Sequence, residues 1–210
     1  MKMKRLALST VAASVLAVGA VVPTVQAEME ISAEIGAAST YLWRGLDLGG
    51  AAVWGDLSVS SSGFYAGVWT SSGDAEAGTE YDLYFGYGAE FGDVGIDVGY
   101  ATYVYPESEV SIGDLAEAYL GLSYGPASLT YFHGLSDLED YWYVSLGVDV
   151  GSFNFSYGLH EDDMAHVDAT YAYNDNLSFT LSKIIDDADG AYKGLDELKF
   201  VASFSLPLEF

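Results

Sequence analysis

The stretch YDLYFGYGAEFGDVGIDVGYATYV, residues 81–104, decides the fold. Apolar side chains occupy nearly every second position on both sides of Gly92-Asp93, and mostly glycine, tyrosine and aspartate lie between them. A period of two gives an extended chain one apolar and one polar face, which is typical of a β-strand and not of a helix. Gly92-Asp93 between two such runs is a tight-turn signal. The stretch therefore predicts an antiparallel hairpin.

The same alternation recurs along the chain, and short turns alternate with longer, acidic connections. Ser62-Gly63, Gly125-Pro126-Ala127, Gly151-Ser152 and Asn174-Asp175-Asn176 are further tight-turn signals. Short turns on one side and longer loops on the other predict an all-β fold, a transmembrane up-and-down antiparallel barrel of about twelve strands. A short helix over 114–120 is an alternative for one segment. The twelve predicted strands are 30–38, 51–61, 63–72, 80–91, 94–104, 116–124, 128–135, 141–150, 153–160, 165–173, 177–185 and 197–208.

Charge placement favours a membrane barrel over a soluble one. The apolar faces of the predicted strands carry a single charged residue, Lys183, close to a strand end. A soluble sandwich or lipocalin-like barrel points its apolar face inward and exposes a face rich in lysine and glutamate. Here the other face is mostly glycine, serine and tyrosine with occasional acids, which suits a lumen.

The N-terminus predicts secretion. A basic start (residues 1–5), an apolar run (6–22) and the small-residue motif Val25-Gln26-Ala27 predict a signal peptide over residues 1–27. An uncleaved membrane anchor is the alternative. The rest, 28–210, is one predicted barrel domain, located in the bacterial outer membrane.

Two partners are expected for a barrel in that membrane, and the C-terminal strand indicates the first of them. Alternating apolar residues run to the end of the chain, which closes on Phe210. A terminal strand with a final phenylalanine resembles the signal read by the barrel-assembly machinery, which is the first expected partner. Outer-membrane lipids and lipopolysaccharide are the second.

Composition excludes several classes of function. The absence of cysteine excludes disulfides, thiolate metal sites and catalytic thiols. After residue 27 the only basic residues are Arg44, Lys183, Lys193 and Lys199, against 31 acidic ones, which argues against nucleic-acid binding. Aromatic residues make up 15% of the chain, which argues against disorder.

The polar face predicts a pore. Because acids outnumber bases there, we expect a narrow, passive channel for small hydrophilic solutes that prefers cations. The alternative is a non-conducting structural or adhesion barrel, plugged by tyrosines, whose acidic loops bind divalent cations and lipopolysaccharide. The pore-lining candidates are Glu34, Arg44, Asp56, Asp82, Tyr84, Glu90, Asp97, Tyr103, Glu117, Tyr119, Tyr143, Asp149, Asp168 and Lys199.

Arg44 lies where the first strand meets the first long connection, within Trp43-Arg44-Gly45. A guanidinium among many carboxylates is expected to fork onto one of them. It would then act as a loop anchor, or alternatively as a constriction charge.

Enzymatic motifs are weak, and we expect neither a catalytic site, a metal nor a cofactor. His166 and Asp168 share a strand face near His160, Asp162 and Asp163, so an acid–histidine pair or a weak metal site is an alternative. A second alternative is a serine–histidine hydrolase built on His133 and Ser136. The glycines at 86, 88, 95 and 99 are expected either to make room for neighbouring tyrosine rings or to bend the sheet.

Several spaced blocks of aromatic residues and glycine resemble one family. They are STYLWRG (39–45), AVWG (52–55), SGFYAGVW (62–69), EYDLYFGY (80–87), GYATYVYP (99–106) and EAYLG (117–121). The chain is thereby similar to the TorF-type porin family, which carries the Gcw_chp domain. The resemblance implies an outer-membrane barrel with a porin role and no known substrate. Trp54 departs from the glycine or glutamine expected there, and the chain is rather short.

Overall fold

The computed structural model describes residues 29–209. The predicted signal peptide and Phe210 lie outside the described residues. Of residues 29–209, no helix combines the length and apolarity needed to cross a membrane.

Twelve strands form one closed antiparallel barrel, and two short strands form a separate hairpin. The barrel closes where the first strand pairs with the last, with Ala33 opposite Leu208 and Ala38 opposite Ser203. The hairpin strands are β2 (Tyr41–Trp43) and β3 (Leu46–Gly49). The barrel strands are β1 (Glu30–Ala38), β4 (Ala52–Ser61), β5 (Phe64–Asp74), β6 (Gly78–Phe91), β7 (Val94–Tyr105), β8 (Val110–Tyr124), β9 (Ala127–Ser136), β10 (Trp142–Val150), β11 (Phe153–His160), β12 (Met164–Ala172), β13 (Leu177–Asp187) and β14 (Lys199–Leu208).

The predicted all-β fold and its twelve strands are confirmed, with two differences in detail. The segment 114–120 is part of strand β8, which begins at Val110, so the helical alternative is wrong. Two connections opposite the short turns, β5–β6 and β7–β8, are much shorter than expected, because the strands on either side of them continue beyond the predicted ends. The connection between β5 and β6, for example, is only residues 75–77.

The outer surface of the barrel is apolar, as lipid requires. Rings crowd its short-turn end, where Phe64 packs on Tyr87 with centroids 4.7 Å apart and Phe91, Tyr124 and Tyr173 are highly exposed. Such an aromatic girdle marks the boundary between hydrocarbon and headgroups. Every barrel strand exposes a large apolar side chain: Ile35, Leu57, Phe64, Phe85, Val98, Leu120, Tyr131, Leu146, Phe155, Val167, Leu181 and Phe204.

Tyrosines lie flat across glycines on the inner wall, as the sequence predicted for Gly86 and Gly99. The Tyr65 ring extends from β5 over Gly86, and the Tyr119 ring extends from β8 over Gly99. The two hydroxyls are hydrogen-bonded to each other, and the Tyr65 hydroxyl donates to Asp97. Since the rings bridge four strands, this contact stiffens one side of the barrel from within.

We predict that Gly86→Ala destabilises the barrel by about 1–3 kcal/mol. A Cβ at this position would lie 2.2 Å from the Tyr65 hydroxyl oxygen and 2.6 Å from the carbonyl oxygen of Val98. The matched control is Gly121→Ala, whose added Cβ meets nothing closer than 3.5 Å. Urea titration of the detergent-refolded barrel, followed by tryptophan fluorescence, measures both. Equal midpoints for the two variants would contradict the packing account.

Candidate functional site

The hairpin of β2 and β3 folds into the lumen of the barrel. Its turn is Arg44-Gly45, both with positive φ, 46° and 85°. Backbone hydrogen bonds tie its flanks to the wall, from Ser39 N–H to the Ala202 carbonyl and from Ala75 N–H to the Leu48 carbonyl, each 2.9 Å. The hairpin makes its own two-stranded sheet and does not join the barrel ladder. Its position in the bore therefore depends largely on side-chain contacts.

The Arg44 guanidinium forms a bidentate ion pair with Glu117 of β8. Nη1 lies 2.7 Å from Oε1, and Nη2 lies 2.8 Å from Oε2. Nη1 also donates to the Tyr141 hydroxyl at 2.9 Å, and Tyr103 donates to Glu117. Both charged side chains are almost fully buried, at 2% and 1% exposure. Arg44 thus forks onto a carboxylate, as expected, and anchors the hairpin to the opposite wall.

Four aromatic rings enclose the same guanidinium. Its central carbon lies 4.3 Å from the ring centroid of Phe132, 4.5 Å from Tyr143, 4.7 Å from Trp43 and 5.5 Å from Tyr141. Ring faces within about 6 Å attract a cation, and the attraction grows when water is excluded. Glu117 and these rings together are called the Arg44 cage below.

Two histidines support the hairpin turn from beneath. A 2.9 Å hydrogen bond joins His160 Nε2 to the Arg44 carbonyl oxygen, and His160 Nδ1 lies 3.2 Å from the Tyr141 hydroxyl. His166 packs against Gly45, where a Cβ would lie 2.6 Å from the ring. Glycine is therefore needed at 45 both for its positive φ and for this close approach.

Asp168 and Tyr143 occupy the two nitrogens of His166. Asp168 oxygens lie 3.2 Å and 3.3 Å from Nδ1, and the Tyr143 hydroxyl lies 3.0 Å from Nε2. His166 is only 2% exposed. Both nitrogens are thus committed to protein partners, which orients the ring as a support for the hairpin.

Two further acids lie on the inner face of β6 beside the hairpin. Glu80 accepts hydrogen bonds from Tyr41 of the hairpin and, at 2.7 Å, from Tyr105 of β7. Asp82 is buried two residues along the same strand, and its Oδ1 makes no hydrogen bond within residues 29–209. The predicted strand begins at Glu80, whereas β6 begins at Gly78, so Glu80 lies within the strand and not at its first position.

The short-turn half of the lumen is lined by smaller polar groups. Tyr84 donates to Asp56 at 2.8 Å, and Asn154 donates to Asp149 at 2.8 Å. Glu34 is half-buried, and Glu90 and Asp149 are exposed at this end of the barrel. Apart from the rings of Tyr65, Tyr84 and Tyr119, the wall between these acids is mainly serine, threonine and glycine.

Ten of the fourteen predicted site residues fall into three groups, and Glu34, Asp82, Glu90 and Asp149 lie elsewhere on the inner wall. Arg44, Tyr103, Glu117 and Tyr143 meet in the Arg44 cage, with Asp168 joined to it through His166. Lys199 pairs with Asp47 of the hairpin at 3.4 Å. Lower on the wall, Asp56 accepts a hydrogen bond from Tyr84, and Asp97 accepts one from Tyr65, whose hydroxyl also contacts that of Tyr119. Sequence reasoning missed Tyr41, Glu80, Phe132 and the role of His160, because nothing local marks them as neighbours of Arg44 or of the hairpin.

The other predicted chemistry gains no geometric support. His133 lies on the outward side of β9, next to Tyr131, with 3.4 Å between Nδ1 and the hydroxyl. Within residues 29–209, no cluster of three or more histidine or acidic side chains is arranged to hold a metal ion.

The last outer loop, 188–198, is held to the neighbouring turn by Tyr192. Its hydroxyl donates to Asp162 at 2.7 Å. Burial, and then this hydrogen bond, raise the pKa of Tyr192 to about 12. The phenol therefore remains a hydrogen-bond donor at neutral pH.

We predict that Glu117→Gln lowers the free energy of unfolding by about 3–5 kcal/mol, because it leaves a buried guanidinium without its counter-charge. The matched control is Glu90→Gln, an exposed lumenal acid at the short-turn end, which is expected to change stability by less than about 0.5 kcal/mol. Urea midpoints of the two refolded variants provide the comparison. A Glu117→Gln barrel as stable as the control would contradict the anchoring role of the ion pair.

Solved structures that are similar to this chain share little sequence with it. The structure resembles the KdgM porin in complex with disordered oligogalacturonate, at a TM-score of 0.47 and 9% identity, over 86% of this chain and 99% of that one. It also resembles outer membrane phospholipase (OMPLA) from Salmonella typhi, at a TM-score of 0.44 and 12% identity, over 85% and 90%. A Rh. blastica porin mutant gives a TM-score of 0.37 at 10% identity, over 87% and 100%. These likenesses concern the fold alone.

The family comparison identifies the chain. No curated protein sequence matches it. The model of the family described as "Bacterial protein of unknown function (Gcw_chp)" matches residues 23–191, which is most of the chain. Its closed twelve-stranded barrel with an apolar exterior is that of a bacterial outer-membrane β-barrel protein. The chain belongs to the Gcw_chp family.

Proposed function

We propose that this barrel is a passive outer-membrane channel for small hydrophilic solutes and that it prefers cations. The proposal rests on the excess of negative charge on the inner wall. Acids project inward from most barrel strands, whereas the inward-facing basic residues of the described chain are Arg44 and Lys199. Both are already paired, with Glu117 and Asp47, so neither offsets the remaining carboxylates.

The field in such a lumen favours cations for a physical reason. The surrounding hydrocarbon has a low dielectric constant, which focuses the field of the wall charges into the bore. Carboxylates such as Asp56, Asp97 and Asp149 then raise the local cation concentration and repel anions. The hydroxyl donors on Asp56 and Asp97 fix the orientation of these carboxylates without neutralising them.

The same wall constrains the solute class. Solutes must be small, because the hairpin and the Arg44 cage occupy the loop-side half of the bore. A polyanion such as the oligogalacturonate bound by the KdgM porin does not suit an acid-lined lumen. Small cations and small neutral solutes do.

A non-conducting structural barrel is the second candidate, and the inserted hairpin favours it. A bore crossed by Arg44 and closed by an aromatic cage could serve only to support the outer loops. In that case the acidic loops, including Glu107, Asp137 and Asp163, would bind divalent cations and lipopolysaccharide. Assembly through the terminal strand is proposed for both candidates.

A hydrolase is not proposed. His166 has both ring nitrogens engaged by Asp168 and Tyr143 and is nearly inaccessible, so no nitrogen is left to activate water. His133 faces away from the lumen.

Reversal potentials of the refolded protein in planar bilayers test the proposal. Under a KCl gradient we expect discrete conductance steps and a potential of the sign given by cation permeation. The combined substitution Asp82→Asn, Asp97→Asn and Asp149→Asn should reduce the cation-to-anion permeability ratio severalfold.

The control for that experiment neutralises three outer-loop acids, Asp137→Asn, Glu139→Gln and Asp140→Asn, and should leave the ratio close to that of the unmodified protein. An anion preference would contradict the charge argument. Complete absence of steps would leave the structural barrel as the function.

A further inference from the structure

We propose that the Arg44 cage is a recognition site for guanidinium-type organic cations, occupied at rest by the protein's own Arg44. The β2–β3 hairpin would then be a tethered plug that carries a built-in ligand. This deepens the proposed channel function, and it rests on that function only for its conductance readout.

The cage has the features that recognise a guanidinium in particular. Glu117 presents both carboxylate oxygens to two nitrogens, at 2.7 Å and 2.8 Å, which matches the planar fork of a guanidinium and not the point charge of an ammonium or K⁺. The rings of Phe132 and Tyr143 lie at 4.3 Å and 4.5 Å from the central carbon. These ring faces add attraction for a flat cation.

The receptor part of the cage belongs to the wall and not to the hairpin. Glu117, Phe132 and Tyr143 lie on neighbouring strands β8, β9 and β10, and their pairing is continuous, with Tyr119 opposite Phe132 and Phe132 opposite Tyr143. Phe132 also packs with Tyr143 at 5.9 Å between centroids. The wall would therefore keep its carboxylate and rings in place if the Arg44 side chain were absent.

The hairpin, in contrast, does not join the barrel ladder. Its own sheet has three register pairs and is separate from the barrel. Apart from the Arg44 cage, the hairpin is held by the backbone hydrogen bonds at its flanks, by the His160 bond to the Arg44 carbonyl and by side-chain contacts. These side-chain contacts are the packing of Tyr41 and Leu42 on the wall, the Tyr41 hydrogen bond to Glu80 and the partly exposed pair of Asp47 and Lys199. Withdrawal would break these contacts and leave the barrel ladder intact.

Tethering explains why the resting protein keeps its own ligand. A tethered Arg44 acts at an effective concentration in the millimolar range or above, so a dilute free guanidinium cannot displace it. Removal of the Arg44 side chain should therefore uncover binding of the free ion. A ligand of four heavy atoms is limited to a dissociation constant no tighter than roughly 0.05 mM, so binding in the millimolar range is expected.

The experiment uses the full-length refolded barrel with Arg44→Ala and guanidinium chloride at millimolar concentration, against KCl at equal ionic strength. We expect guanidinium, and not K⁺, to raise the thermal unfolding temperature of Arg44→Ala and to change the fluorescence of Trp43. A rise is diagnostic, because guanidinium otherwise weakens folded proteins. In bilayers, Arg44→Ala should conduct more than the unmodified barrel, and guanidinium should reduce that conductance again.

Two controls separate the cage from general effects. The double substitution Arg44→Ala with Glu117→Gln should show no rise with guanidinium, since the carboxylate fork is gone. Lys193→Ala removes an exposed loop cation and should behave as the unmodified protein does. If Arg44→Ala does not refold, Arg44→Met fills a similar volume without charge, and refolding of Arg44→Ala in guanidinium should restore its yield.

The outcomes distinguish the recognition site from the channel. No stabilisation of either Arg44 variant by guanidinium, or equal stabilisation of the Glu117→Gln double variant, overturns the recognition site. Conductance of Arg44→Ala equal to that of the unmodified barrel overturns the plug. If guanidinium stabilises Arg44→Ala but no variant conducts, the result supports the recognition site and overturns the channel.

Discussion

Hydrocarbon offers no hydrogen bonds, and the rest of the structure follows from that constraint. Every strand in a bilayer must pair on both edges, so the sheet has to close, and it does so where β1 meets β14. Closure gives each strand one face toward lipid and one toward the bore. Because apolar residues occupy the lipid face, the polar residues of this chain are collected inside a narrow tube.

The polar side chains that are crowded inside the barrel then need hydrogen-bond partners within the protein. Tyrosine supplies most of them, since its ring fills space and its hydroxyl reaches a carboxylate, as with Tyr84 on Asp56 and Tyr103 on Glu117. Glycine on the adjacent strand leaves the space that the tyrosine ring occupies. Arg44 supplies the one fully buried cation that the described residues show, and the hairpin that carries it divides the lumen into a filled half and a more open half.

Local patterns predicted the barrel but not the plug. Alternation predicted all twelve strands, because the lipid face imposes it at every second position. It did not show where strands continue beyond that pattern, as β8 does from Val110. The packing of Tyr65 on Gly86 could also be predicted, because the two residues lie on neighbouring strands. Strands β2 and β3 are too short for alternation to be visible. The partner of Arg44 lies 73 residues away, and that pairing depends on which side chains face each other across the bore.

The central claim, that lipid contacts one face of each strand and the polar lumen the other, can be measured directly. The chain has no cysteine, so each residue of β10 can be replaced in turn by cysteine and labelled with a fluorophore in bilayers containing brominated lipid. We expect lipid quenching at 144, 146 and 148 and protection at 145 and 147. Quenching without this alternation, or with the opposite phase, would contradict the account.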